Sequence, residues 1–202
     1  MGTVTIQHGK IAAIAVVGNG PVDPACRQTI DEHEFVVRFN HCSNFETSGV
    51  RTDALVFAPV GPTGAINASE EVHAGAIRHA KEFWFTRSAD LIDEERRKAI
   101  AKGADTINLE DWTRQIIARH VGSRPYLFLD PKIYRRAERE LAALGASEPF
   151  EPSSGVLALI HLRERFPRKA INLFGFTHEG WEGHSWEAER KLVRLLTSPT
   201  NT

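Results

Sequence analysis

The chain has 202 residues, with 25 Lys and Arg against 26 Asp and Glu and a hydrophobic fraction of 42%, the make-up of one globular domain with a core of its own. A formal net charge of −1 supplies no bulk field for nucleic acid or an anionic membrane, and the apolar content excludes a disordered chain. Two cysteines, Cys26 and Cys42, are too few for a disulfide scaffold, lack CxxC spacing and read as reduced thiols of a cytoplasmic protein.

In chain order, the apolar run Ile11–Val17 ends at Gly-Asn-Gly-Pro and predicts a buried strand running into a loop. Asp23 before Pro24 predicts an N-cap with proline at the first helical position, opening a short helix to about Ile30. Residues 34–40 (EFVVRFN) and 54–58 (ALVFA) predict a second and a third strand. Residues 68–80 have helical character, and 82–86 (EFWFT) strand character. A charged amphipathic helix follows over 88–102, closed by Gly103 as its C-cap. Residues 106–109 predict a short strand and 110–121 a helix. Asp130-Pro131 repeats the cap-and-proline signal for a helix ending near Gly145. Residues 153–166 then predict a helix, 170–176 (AINLFGF) a strand and 185–196 a last amphipathic helix, and the polar tail 197–202 is expected to fray. With no repeat and no Pro/Gly-rich linker, this alternation predicts one α/β domain with a Rossmann-like, mostly parallel sheet flanked by helices.

No stretch approaches the roughly 20 apolar residues of a membrane-spanning helix. The N-terminus lacks the features of a signal peptide, and Ile6 stands where a myristoylation signal needs Ser or Thr. A soluble, cytoplasmic protein is expected.

Ligands of open α/β sheets sit beyond the carboxyl ends of the strands, at a topological switch point. Residues 18–21, 40–44 and 177–184 answer to that position. Gly18-Asn19-Gly20 suits a phosphate or nucleotide loop, because glycine lets backbone N–H groups approach a ligand closely, although an ordinary strand-to-helix turn has the same composition. Asp23 stands where a dinucleotide fingerprint needs its third glycine, and no Gly-Lys-Ser/Thr follows, which removes the NAD and P-loop readings. Asn19 and Asn40 each close a strand and are placed to turn amides toward one ligand, at positions where asparagine is also a common turn residue.

Taken together, IAAIAVVGNG…IDEHEFVVRFN, GVRTD, PSSGVLALIHLRERFPRKAINLFGF and GHSWEAE run in the order of the sialyltransferase signature blocks. Over residues 11–61 and 150–191 the chain resembles glycosyltransferase family 29, and within it the small bacterial members labelled urease operon accessory protein. The resemblance implies an inverting, metal-free transfer of sialic acid or a related ulosonic acid such as Kdo from a CMP-sugar donor to a glycan or other hydroxyl acceptor, with no cofactor. It places Asn19 and Asn40, with Gly18 and Gly20 beside them, on the phosphate and the ribose or cytidine of the donor. Ser153, Ser154 and Gly155 would contact the nucleotide from the start of their helix. A helix N-terminus, with unpaired N–H groups and partial positive charge, suits a phosphate, and serine there also reads as an N-cap.

By the same resemblance His184 is the base that takes the acceptor's proton, a task suited to a group that titrates near neutrality. Glu189 completes the family's His-x4-Glu motif, with Glu187 the other first-turn carboxylate. His178 corresponds to a histidine near the leaving phosphate, in a Phe-Thr-His-Glu-Gly-Trp segment that departs from the family pattern. Cys26 and Cys42 miss the family's disulfide positions, and no Asp-x-Asp metal motif occurs. Arg38, Arg51 and Lys132 are the cations considered for a sugar carboxylate. Two other readings stand beside transfer: a nucleotide-binding accessory protein without catalysis, and a urease-associated metal-handling protein. For the latter, His178 and His184 lack H-x3-H or C-x2-C spacing.

Overall fold

A computed structural model of the chain describes residues 11–198. The N-terminal residues considered for myristoylation and residues 199–202 of the tail lie outside that range. The sheet has six strands: β1 (Ile11–Val17), β2 (His33–Phe39), β3 (Ala54–Phe57), β4 (Glu82–Phe85), β5 (Tyr126–Phe128) and β6 (Ala170–Phe174). Their spatial order is β5-β4-β3-β2-β1-β6, and every pairing is parallel. The α/β, Rossmann-like expectation is therefore correct. After β1 the chain lays down β2 to β5 in one direction and then returns to place β6 on the far side of β1. The order reverses between β1 and β6, which makes their carboxyl ends the switch point.

Helices cover both faces, so the central strands read as continuous apolar runs. Connections run through α1 (Arg27–Glu32) to β2, α2 (Gly61–Asn67) and α3 (Ala74–His79) to β4, and α4 (Ala89–Ala101) and α5 (Thr113–Ile116) to β5. Then α6 (Pro131–Ala143) and α7 (Ser154–Arg165) lead to β6, and α8 (Trp186–Thr197) follows it. Ile14, Val16, Val37, Val56 and Trp84 pack on one face with residues of α6, α7 and α8. Leu55, Phe57, Phe83 and Phe85 pack on the other with Ala76 of α3 and Ile116 of α5, and Ala15, Val17 and Val36 pack there against Ile30 of α1. Among these helices α7 is the most enclosed, with Val156 through Ile160 and Leu162 buried, which explains its lack of a polar stripe.

The three caps read from sequence, at Asp23, Asp130 and Ser153, are made, and Ser88 adds another. Asp23 caps a 3-10 turn, Pro24–Cys26, that precedes α1, and Ser88, Asp130 and Ser153 cap α4, α6 and α7. Elsewhere the expectations need correction. Residues 68–80 are not one helix: α2 starts earlier, with Pro62 in its first turn, and α3 starts only after His73, whose Nδ1 accepts from Gly75 N. The strand expected at 106–109 is a 3-10 turn, Ile107–Leu109, because the Asp105 carboxylate accepts from Ile107 N and closes the chain on itself. Strand β5 has no counterpart in the sequence reading, since three residues are too few to show a period. Thr197 belongs to α8 rather than to a frayed tail.

At the switch point the chain segments touch through backbone alone. Gly18 N donates to Phe174 O at 2.8 Å and Gly20 N to Gly175 O at 3.0 Å. A Cβ on Gly18 would lie 2.6 Å from Gly175 O, which belongs to the main chain and has nowhere cheap to go. Gly18→Ala is therefore expected to destabilise the fold by about 1–3 kcal/mol, measured as a lower urea midpoint at unchanged m value.

Candidate functional site

A cleft of about 580 Å³ opens above the carboxyl ends of the strands, within the usual range for a small-molecule site. The residues read from the sequence as catalytic or nucleotide-binding line it: Gly18, Asn19 and Gly20 after β1, Asn40 after β2, Ser153, Ser154 and Gly155 at the start of α7, and His178 and His184 between β6 and α8. Several of them also have partners within the fold.

Asn19 braces the cleft. Its Nδ2 donates to Phe39 O at 3.0 Å and its Oδ1 accepts from Ser43 N at 3.1 Å. Asn40 has φ +51, a left-handed conformation asparagine tolerates, and its Oδ1 accepts from Ala58 N and Asn67 Nδ2 at 3.0 and 2.9 Å. That leaves Asn40 Nδ2 open to a ligand. Asn44, which the sequence places only in a loop, secures the glycine turn by donating Nδ2 to Gly18 O and Gly20 O at 2.7 and 3.0 Å.

The N-terminus of α7 is capped and still open. Ser153 Oγ accepts from Val156 N at 3.3 Å, while Ser153 N and Oγ donate to the Glu189 carboxylate at 2.8 and 2.6 Å. Ser154 N and Gly155 N, in the first helical turn, have no intrahelical acceptor. Glycine at 155 allows Phe176 to lie on this end, since a Cβ there would come within 2.9 Å of its ring. Glu189 is only 1% exposed, and burial pushes its carboxyl up to about 7 against the two bonds from Ser153.

His184 Nδ1 lies 2.7 Å from Glu151 O. A carbonyl only accepts, so Nδ1 carries the proton and Nε2 presents a lone pair. Burial lowers the pKa of this ring, and the charge of Arg87 adds to the effect. His178 sits at φ +54, and burial, with Arg190 and Arg194 nearby, lowers its pKa too.

Arg87, after β4, is the functional residue that sequence reasoning missed; its place beyond a strand's carboxyl end was the available signal. It is 4% exposed and lines the cleft. Nη2 donates to Glu151 Oε2 at 2.8 Å, Nε lies 3.1 Å from Glu95 Oε2, and the guanidinium stands over the Tyr134 ring. Burial opposes its charge, but Tyr134, Glu151 and Glu95 outweigh that and keep it cationic. Nη1 has no hydrogen-bond partner among the described residues.

The other cations considered are engaged elsewhere. Arg38 is buried and donates to Ser48 Oγ, Ser48 O and Arg51 O, and Arg51 pairs with Asp53 at 2.7 Å, so both clamp the β2–β3 connection. Lys132 is exposed at the start of α6 and is not among the residues lining the cleft. Among the described residues, no three His, Cys, Asp or Glu gather in a way that could hold a metal ion, and no helix is long and apolar enough to cross a membrane. Cys26 and Cys42 are free, and burial pushes the Cys42 thiol up to about 12.

The chain has a relative among known proteins. It is 29% identical over 200 residues to the urease operon 23 kDa accessory protein of Rhizobium meliloti (strain 1021), a match spanning 96% of this chain and 91% of that protein. No protein-family model matches. These findings overturn the assignment to the sialyltransferases, and with it the transfer reaction and the reading as a sialyltransferase-like enzyme, and they leave the CMP-sugar and acceptor partners without support. A relative similar along nearly the whole length is named for a urease operon and not for a transferase. The physical reason for the misreading is that a glycine turn, asparagines at strand ends and a Ser-Ser-Gly helix start are what a parallel sheet needs at its switch point. Asn19, Asn44 and Ser153 meet those needs within the fold itself.

The buried Glu189 generates a prediction of its own. A carboxyl whose folded pKa is raised contributes stability that is fully present below its unfolded value near 4.3 and is lost as pH rises through about 7. Glu189→Gln should therefore gain stability relative to wild type as pH rises from 5 to 8, measured as the difference in urea midpoints. A flat difference would show that Glu189 titrates as in the unfolded chain.

Proposed function

We propose that the protein is a non-catalytic accessory protein that binds a mononucleotide through its phosphate. One observation carries the reading: the open N–H groups of Ser154 and Gly155 and the unpartnered Nη1 of the buried Arg87 belong to a single cleft. A helix N-terminus and a preorganised guanidinium are complementary to a phosphate in charge and in donor geometry. Asn40, which lines the same cleft, offers its Nδ2 as a further donor. The accessory role comes from the relative's name, which sets that protein in a urease operon. A metal-handling role is less well supported, because among the described residues no three His, Cys, Asp or Glu gather in a way that could hold a metal ion. No cofactor beyond the bound nucleotide enters the proposal.

The test is a substitution that changes charge at the phosphate position while respecting the helix. Ser154→Asp puts a carboxylate in the first turn of α7, where it is favourable to the helix dipole and repels a bound anion. CMP and AMP are expected to stabilise the wild type by about 2.7 kcal/mol when free ligand exceeds Kd 100-fold, and to be recovered chemically unchanged. Ser154→Asp should keep or raise the thermal midpoint of the free protein and lose the ligand-induced shift. A full shift in that variant, or no shift in the wild type with either nucleotide, would refute the proposal.

A further inference from the structure

Trp181 is 48% exposed, yet it lines the cleft and is held in place. Its ring lies on Gly183: a Cβ at that glycine would come within 2.4, 2.5 and 2.6 Å of the ring atoms Cη2, Cζ2 and Cζ3. The His184 ring meets it edge-on at 4.9 Å and an interplanar angle of 90°. Both residues of that seat are tied to the segment leading into α7, because Glu151 N donates to Gly183 O at 2.8 Å and His184 Nδ1 donates to Glu151 O. The result is a preorganised flat apolar surface, one side packed and the rest open. It is connected through Glu151 both to the N-terminus of α7 and to Arg87. A large aromatic left uncovered in a concave site, rather than on a convex patch, calls for a planar ligand group.

We propose that Trp181, seated on Gly183, is the stacking platform for the heterocyclic base of the ligand whose phosphate lies at α7 and Arg87. This rests on the anion-binding reading of the same cleft. Every base offers a π face, so stacking on tryptophan is tolerant of base identity and selects for the presence of a ring. The cleft is thereby a site for nucleoside phosphates in general and discriminates against phosphorylated sugars without a base.

The test is calorimetric titration of the full chain with CMP, AMP and ribose 5-phosphate, with tryptophan fluorescence followed in parallel. CMP and AMP are expected to bind about tenfold more tightly than ribose 5-phosphate and to quench the fluorescence. In Trp181→Ala that preference should collapse to about onefold, and Trp181→Phe should retain most of it. Gly183→Val, which pushes the ring off its seat while keeping the tryptophan, should lose the preference as well. A preference that survives in Trp181→Ala, or its absence from the wild type, overturns the platform and leaves the anion site standing. Failure of both nucleotides, ribose 5-phosphate and inorganic phosphate to bind overturns the platform and the cleft reading together.

Discussion

Two parallel strands held together to their last residues and then forced apart set the geometry of everything functional in this protein. Gly18 N bonds Phe174 O, and Gly20 N bonds Gly175 O, so β1 and β6 stay in register until the sheet ends. Beyond that point the chain from β1 turns to α1 on one face, and the chain from β6 turns to α8 on the other. The crevice between the diverging connections is the cleft, and α7, buried on the α8 face, aims its N-terminus into it. The glycines are needed because the two turns approach closer than a Cβ allows.

A nearly neutral chain can build an anion site because the relevant charge is local. Arg87 is the one buried guanidinium aimed at the cleft among those described, and its compensating carboxylates, Glu95 and Glu151, lie on its Nε and Nη2 sides. Pairing two of its edges keeps the cation from being buried alone, while the third edge remains for a ligand. Glu189 is handled in the opposite way. Among the described residues it has no cation against it, only the N–H and O–H of Ser153, so burial raises its pKa and the carboxyl is partly protonated near neutrality. That reduces the negative charge close to the donors of α7.

What could be read in the sequence follows the range of the interactions involved. Strands β1 to β4 and the caps at Asp23, Asp130 and Ser153 are specified by neighbours within a few residues, so pattern and cap chemistry found them. Strand β5 exists because Phe85 and β4 offer it an edge, and nothing in Tyr-Leu-Phe alone announces that. The cleft's position was legible from strand ends, but the division of labour within it was not. Whether Asn19 faces a ligand depends on Phe39 O and Ser43 N, more than 19 residues away. Arg87 looks like any arginine before a helix cap until Glu151 and Tyr134 are brought beside it from across the chain. The sialyltransferase assignment failed for the same reason, since motif blocks record what a switch point requires locally and leave open what chemistry is performed there.

The state of His184 bears on that chemistry. A histidine acting as general base must hold a proton as imidazolium, and catalytic sites stabilise that form with a carboxylate on the other ring nitrogen. Here the partner of Nδ1 is a neutral carbonyl, Glu151 O, and the influences on the charged form are mixed: burial, the largest, and Arg87 oppose it, while the bond to Glu151 O and the Glu151 charge favour it. The net effect is a ring held neutral, flanked edge-on by Trp181 and Trp186, with its Nε2 lone pair presented in one fixed direction. Such a group accepts a hydrogen bond well and retains a proton poorly. In the proposed binding site that is an asset, because the lone pair can orient a ligand hydroxyl.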